Sequence, residues 1–288
     1  MHDRTLLVAT DFSTRSDRAL RRAVLLAKDI DARMRLVHVV DNDQPLRIVK
    51  AERLAASEIL DEQARSIVSR DGLDCEALIV EGDPFEGITS AADDFRADLV
   101  IIGPHRRQAL KDVFVGTTAE RVVRSSRCPV LMANGVPAGA YRHALVAVDF
   151  SPCAADALRA VTDLGIGRSV AVSVVHVFEA PGTSAMMRGS VDADRVADYL
   201  EGEQDSASRK LDAFLSSTGM DPIGRFVRQV DTSVATSVTD AALEASADLI
   251  VVGTSGRSGI ANLLLGSVAQ QVLRSATVDV LAVPPTRA

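Results

Sequence analysis

A glycine-rich segment near the end of the chain carries the clearest chemical pattern in the sequence. It reads GTSGRSGIANLLLGS, from Gly253 to Ser267, and follows the apolar run ADLIVVG. Three of its four glycines are spaced Gly253-x2-Gly256-x9-Gly266, and a serine follows the last one. This spacing predicts a strand, a long loop and then a helix that begins near Gly266. The first amides of a helix have no partner within the helix, so they bind phosphate oxygens well.

The other polar and small residues of the segment fit the same chemistry. Because Gly256 has no Cβ, the backbone at this position could approach an anion closely. Arg257 could add charge-assisted hydrogen bonds to phosphate oxygens. Any one of these glycines taken alone is more often a turn residue, so the hypothesis depends on their combined spacing. The GxxxxGK[ST] pattern does not occur in the sequence, so no lysine of that type contacts phosphates.

An aspartate follows a second buried run. Asp149 stands near the end of LVAVDFS. Its carboxylate could accept hydrogen bonds from sugar hydroxyls at a strand end. The alternative is that Asp149 caps the next helix or a turn, which is common for aspartate. The two roles are compatible, and the sequence leaves both open.

The elements that must position these residues occur twice in the chain. LVATDFS (residues 7–13) recurs 138 positions later as LVAVDFS, and ADLVIIG (97–103) recurs 150 positions later as ADLIVVG. The second copy therefore carries about 12 extra residues, which we place in EAPGTSAMMRGS (179–190) and predict to be a loop by composition. The repeat predicts two domains, residues 1–137 and 138–288.

Each copy reads as five apolar strands alternating with helices. This pattern predicts an α/β fold with a doubly wound, five-stranded parallel sheet and helices on both of its faces. Ser13 and Ser151 are candidate N-caps of the helix that follows the first strand. In such a sheet, ligands bind beyond the carboxyl ends of the strands where the strand order reverses. We therefore expect the first and fourth strands to border one crevice in each copy.

Composition narrows the classes of function. The 288 residues carry a formal net charge of −7, with no Trp and two Tyr, so a nucleic-acid surface is disfavoured. The three cysteines lack a metal-binding spacing, which disfavours a zinc site or a disulfide framework and suits a reducing compartment. No apolar run is long enough for a membrane helix, and a strand that begins near Thr5 leaves no room for a signal peptide. These features predict a cytoplasmic protein.

The glycine-rich segment resembles the nucleotide loop of the universal stress protein family, written G-x2-G-x9-G-[ST]. The blocks VAVDFS, VVHVF, ADLIVVG and VDVLAVP also match that family in order. Because both halves match, the chain resembles a tandem universal stress protein with two Rossmann-like, adenine nucleotide alpha hydrolase-like domains. The resemblance implies that the second half binds ATP, with or without Mg²⁺, through Val148, Asp149, Val177, Phe178, Gly253, Thr254, Gly256, Arg257, Gly266, Ser267 and Val268.

The resemblance also implies pairing through the edges of the fifth strands, CPVLMAN and VDVLAVP. This pairing would join either the two halves of one chain as a pseudo-dimer or two chains as a homodimer. No nucleic acid or membrane partner is expected.

The first half departs from the family pattern. Its segment GPHRRQALKDVFVGT (103–117) has Arg106 where the second half has Gly256, and Pro104 stiffens the turn. We expect this half to bind ATP weakly or not at all, because the missing glycine allowed close backbone approach. The segment is cationic, so an anion or a different nucleotide is the alternative. The corresponding weaker site comprises Asp11, Val39, Gly103, Arg106, Gly116 and Thr117.

These observations favour an ATP-binding regulatory protein of the stress response. One alternative is a slow ATPase or another nucleotide-dependent enzyme of related fold. A second is a scaffold that binds proteins without nucleotide. The sequence contains no nucleophile motif, evident general base or metal pair, so we assign no catalytic residue. We interpret His38 and His176, which recur at one strand position, as hydrogen-bonded strand residues.

Overall fold

The computed structural model describes residues 4–104, 118–166, 170–189, 191–256 and 265–286 of the chain. In the first half, strands and helices alternate as the apolar runs predict. The strands are β1 (Thr5–Ala9), β2 (Arg33–Val40), β3 (Cys75–Glu81), β4 (Leu99–Ile102) and β5 (Val130–Met132). The helices are α1 (Thr14–Ile30), α2 (Leu46–Asp71), α3 (Pro84–Asp94) and α4 (Thr118–Ser125).

The second half repeats this order with one additional helix. Its strands are β6 (His143–Ala147), β7 (Ala171–Phe178), β8 (Gly224–Gln229), β9 (Leu249–Gly253) and β10 (Asp279–Val283). Its helices are α5 (Pro152–Asp163), α6 (Gly182–Arg188), α7 (Ala193–Thr218), α8 (Val234–Glu244) and α9 (Ser267–Ser275). The predicted serine caps are confirmed, because Ser13 and Ser151 accept hydrogen bonds from the backbone amides of Ser16 and Ala154.

The ten strands of the described residues form one sheet in the order β3-β2-β1-β4-β5-β10-β9-β6-β7-β8. Neighbours within each half are parallel, as predicted for a doubly wound sheet. The strand order reverses beside β1, which pairs with β4, and beside β6, which pairs with β9. The predicted crevice therefore lies at the carboxyl ends of these two pairs. Apolar side chains on both faces of the sheet, such as Leu6 and Leu7, are fully buried.

The two halves meet through their fifth strands. β5 and β10 are antiparallel neighbours, with Leu131 opposite Leu281. The pairing that the family resemblance implied therefore forms within one chain, as the pseudo-dimer alternative. Since these two edges face each other, they do not supply a free edge for a homodimer.

The additional residues of the second half correct one prediction. Residues 179–190 are not only loop, because α6 forms over Gly182–Arg188. This short helix packs on α7, and the Tyr199 hydroxyl accepts a hydrogen bond of 3.3 Å from the Gly182 amide. Packing of this kind stabilises short helices that composition alone does not predict.

Candidate functional site

Asp149 is presented by a tight turn between β6 and α5. Its Oδ1 atom accepts a hydrogen bond of 3.0 Å from the Ser151 amide, and Phe150 between them has a φ of 66°. The helix cap is supplied by Ser151, whose Oγ accepts a hydrogen bond of 3.1 Å from the Ala154 amide. The turn alternative for Asp149 is thus realised, and it leaves Oδ2 directed toward Gly256. A Cβ added to Gly256 would stand 3.1 Å from that oxygen.

His176 supports the same turn from β7. Its Nδ1 atom lies 2.8 Å from the Val148 carbonyl oxygen, and its ring centroid lies 4.1 Å from that of Phe150. A carbonyl oxygen can only accept, so Nδ1 carries the hydrogen in this bond. The contact with His176 helps to hold Phe150 at a positive φ, a conformation that is unfavourable for a bulky residue. The predicted interpretation of His176 as a hydrogen-bonded strand residue is confirmed.

Gly253 lies where β9 passes the first turn of α5. A Cβ on this glycine would lie 2.9 Å from Cys153 Sγ and 3.1 Å from the Cys153 carbonyl oxygen. These distances are shorter than ordinary van der Waals contacts, so a Cβ here would force Cys153 to shift, and packing favours glycine. Burial raises the pKa of the Cys153 thiol, which keeps it protonated at neutral pH.

The helix after the glycine-rich segment begins as predicted, at Gly266 and Ser267. Gly266 is the N-cap of α9, and it contributes no side-chain cap. Its amide donates a hydrogen bond of 2.8 Å to the Thr254 carbonyl oxygen, and the Thr254 amide donates to the carbonyl oxygen of Val283 at 2.9 Å. Thr254 therefore ties the start of α9 to β10. The first amides of α9 and the positive end of its dipole suit an anion.

These residues converge on one cavity of about 810 Å³ at the carboxyl ends of β6, β7 and β9. Of the predicted positions, it is lined by Val148, Asp149, Val177, Phe178, Gly253, Gly256, Gly266, Ser267 and Val268. Thr254 does not line the cavity, because it is buried and holds Gly266 through its backbone. Arg257 lies outside the described residues.

The structure adds two walls that the sequence analysis did not identify. One is apolar and comprises Val175, Val234, Val238 and Val252. The other comes from α7, through Glu203, Ala207 and Lys210. The apolar wall could have been suspected, since Val234 and Val238 lie 150 positions after Pro84 and Ile88, which line the cavity of the first half. The α7 residues have no such signal, because the equivalent helix α2 contributes nothing to that cavity.

The first half has a cavity at the equivalent place. It measures about 340 Å³ and includes Asp11, Val39 and Gly103 of the predicted weaker site. The remaining predicted positions, Arg106, Gly116 and Thr117, lie outside the described residues.

The aspartate of the first cavity is Asp11, the counterpart of Asp149. Oδ1 of Asp11 accepts hydrogen bonds from the Ser13 amide at 3.0 Å and the Ser13 hydroxyl at 2.5 Å. Oδ2 lies 3.6 Å from the guanidinium of Arg15, which stands where the second half has Cys153. Burial raises the pKa of the Asp11 carboxyl, but hydrogen bonds from Ser13 and Ser16 and the charge of Arg15 outweigh burial and lower it.

In the described part of the chain, no group of three or more His, Cys, Asp or Glu side chains is arranged to hold a metal ion. None of the helices described there is both long and apolar enough to span a membrane.

The fold and the cavities define a tandem α/β protein of the doubly wound type, with one strand-end cavity in each half. Comparison with known proteins assigns this architecture to a family. The universal stress protein family matches residues 3–134 and again residues 140–284, so the chain belongs to it as a tandem member.

Individual relatives agree with this assignment. A universal stress protein of Mycolicibacterium smegmatis is 26% identical over an alignment of 299 positions that covers 97% of each chain. One from Methanocaldococcus jannaschii is 29% identical over 136 residues, covering 44% of this chain and 79% of the relative. The solved structure of a universal stress protein from Archaeoglobus fulgidus has a TM-score of 0.70 and 20% identity, covering 99% of this chain and all of that one, and it supports the fold.

Proposed function

We propose that this protein binds ATP in the cavity of its second half and acts as a nucleotide-dependent regulatory protein of the stress response. The observation that carries the proposal is the convergence of three groups on one cavity of about 810 Å³. These groups are the Asp149 carboxylate, the glycine backbone at Gly253 and Gly256, and the start of α9 at Gly266. The cavity volume falls within the usual range for small-molecule sites, roughly 300–1,000 Å³.

Each part of the cavity suits a different part of the nucleotide. The phosphates would accept hydrogen bonds from the first amides of α9, next to Ser267, where the helix dipole favours negative charge. Asp149 would accept a hydrogen bond from a ribose hydroxyl or from the base. The apolar wall around Val234, Val238 and Val252 would cover the base. Glycine at position 256 keeps the space beside Asp149 open for the nucleotide, because a Cβ there would lie 3.1 Å from Asp149 Oδ2.

Bound ATP would supply a bulky anion whose presence or absence gives the protein two states that a partner can distinguish. The chain's own contribution is to hold that anion. The second half orients it through the amides of α9, and the Thr254 carbonyl fixes the position of Gly266 at 2.8 Å. No catalytic step is part of the proposal.

Isothermal titration of the nucleotide-free full chain with ATP tests the proposal. We expect saturable binding of about one ATP per chain. Gly256→Arg reproduces the residue of the first half and should weaken binding at least about tenfold, which corresponds to 1.4 kcal/mol. Gly202→Arg is the matched control, because Gly202 is exposed on α7 and a Cβ there meets nothing within 4 Å. Wild-type protein without saturable ATP binding would refute the proposal.

We further propose that the chain works in the cytoplasm without a homodimer contact through its fifth strands. The pairing of β5 with β10 and the free thiols of Cys75, Cys128 and Cys153 support these statements. Light scattering on the full chain should give a mass near 30.6 kDa for a monomer. A mass of twice that value would show that another surface joins two copies.

A further inference from the structure

A side chain of the first half holds the helix that begins at the second cavity. The carboxylate of Glu120, on α4, accepts two hydrogen bonds from the guanidinium of Arg274 on α9, at 2.6 and 3.0 Å. It also accepts one from Gln270 Nε2 at 3.2 Å. The Glu120 side chain is 8% exposed, so this cluster is largely removed from water on the carboxylate side. Paired hydrogen bonds of this kind fix orientation as well as distance.

The cluster lies next to the start of α9 along the chain. Val268 and Ala269 line the second cavity, and Gln270 is the following residue. A shift of α9 that moved Gln270 away from Glu120 would also displace the amides of the first turn. The N-cap Gly266 supplies no side-chain bond against such a shift, and it is held through its backbone amide by the Thr254 carbonyl oxygen. By contrast, α1 and α5 are capped by Ser13 and Ser151.

The same cluster also lies next to the first cavity. Ala119 lines that cavity, and Glu120 is the following residue on α4. The route from Ala119 through Glu120 and Gln270 to Ala269 therefore joins the two cavities through residues adjacent in sequence and one hydrogen bond of 3.2 Å.

We propose that Glu120 is a positioning residue for the nucleotide site of the other half. It orients α9 through Gln270 and Arg274, so that the first amides of this helix point at the phosphates. The proposal rests on the proposed function, since it concerns ATP in the second cavity. It predicts that loss of Glu120 lowers the affinity for ATP but not the affinity for adenosine, because adenosine has no phosphates to accept hydrogen bonds from the α9 amides.

The test compares ATP with adenosine by isothermal titration of the full chain. Glu120→Gln keeps the shape of the side chain and removes its charge. It should weaken ATP binding by about threefold to thirtyfold and leave adenosine binding unchanged. Exchanging the two charges, with Glu120→Arg and Arg274→Glu together, should recover most of the ATP affinity. Glu81→Gln is the control, because Glu81 forms an exposed pair with Arg53 at 3.1 Å, away from the seam, which is the junction of the two halves at β5 and β10.

The outcomes separate three cases. Loss of ATP affinity with adenosine affinity retained, and recovery in the exchanged pair, supports the positioning role. Equal losses of affinity for ATP and adenosine, or no loss for either, overturn the positioning role. The proposal that the second half binds ATP would still stand. Wild-type protein that binds neither ligand overturns the proposed function and this inference together.

Discussion

Arg22 and Asp279 form a buried ion pair between the two halves of the molecule, although 257 positions separate them in sequence. Arg22 Nε donates to Asp279 Oδ2 at 2.7 Å, and the two side chains are 6% and 1% exposed. Tyr141 donates to the same oxygen at 2.6 Å, and the Gly135 amide donates to Oδ1 at 2.8 Å. The pair thus connects α1 of the first half, the segment between β5 and β6, and β10 of the second half.

Breaking this pair from one side should destabilise the whole chain. Asp279→Asn leaves the Arg22 charge buried without its counterion, and such changes cost about 3–5 kcal/mol. Urea unfolding followed by circular dichroism measures the loss. Asp17→Asn is the matched control, since the Asp17–Arg21 pair is exposed and should change stability by less than about 1 kcal/mol. Equal effects of the two substitutions would contradict a special role for the buried pair.

Tyr141 gives the molecule a pH dependence in the alkaline range. Burial, together with the negative charge of Asp279, holds the pKa of the Tyr141 phenol well above its usual value of 10.0. In the unfolded chain the phenol ionises near pH 10. The stabilising contribution is therefore complete below about pH 10 and is lost as the pH rises toward the folded-state pKa. Unfolding curves from pH 8 to pH 11 should show this decline, and Tyr141→Phe should reduce it. The prediction fails if both proteins lose stability in parallel.

Substitution of Gly253 should lower the stability of the protein through packing, whether or not a ligand is bound. Gly253→Ala places a Cβ 2.9 Å from Cys153 Sγ, and overpacking of this kind costs about 1–3 kcal/mol. Adding Cys153→Ala removes the sulfur but leaves the Cys153 carbonyl oxygen 3.1 Å away. The double variant should therefore remain less stable than Cys153→Ala alone. Thermal unfolding measures each step. Gly202→Ala is the control, because Gly202 is an exposed position inside α7 where a Cβ meets nothing, and this change should raise stability by about 0.5–1 kcal/mol.

Restoring the missing glycine of the first half should not create a second ATP site. Arg106→Gly repairs the sequence pattern, but the first cavity is about 340 Å³ against about 810 Å³ for the second. The guanidinium of Arg15, which stands where the second half has Cys153, also lies 3.6 Å from Asp11 Oδ2. Titration of the Arg106→Gly variant should still give about one ATP per chain. A stoichiometry of two would show that Arg106 alone blocks binding.

Most of the fold follows from features that are local in sequence. Continuous apolar runs predicted buried parallel strands such as β1 and β6, because both faces of the sheet are covered. Ser13 and Ser151 marked the starts of helices, since their hydroxyls satisfy the first amides. The helix α6 was missed because it depends on packing against α7, which composition does not encode.

The sequence likewise predicted some residues of the candidate site and not others. The repeat and the glycine spacing placed Asp149, Gly253, Gly256 and Gly266 at strand ends and a helix start, and these residues do line one cavity. The role of Thr254 was not predictable, because its backbone bonds to Gly266 and Val283 join separate strands and loops. The wall from α7, formed by Glu203 and Lys210, was not predictable either, because the equivalent helix α2 does not line the cavity of the first half.

The sequence by itself determined the doubled α/β fold, the family and the residues at the strand ends, because those patterns arise from local hydrogen bonding and burial. Only the tertiary structure decided how the halves join. The residues at the seam, Arg22 with Asp279 and Glu120 with Arg274, do not repeat as pairs between the two copies. Their partners lie more than 150 positions away, and such contacts form only when the antiparallel pairing of β5 and β10 brings the two halves together.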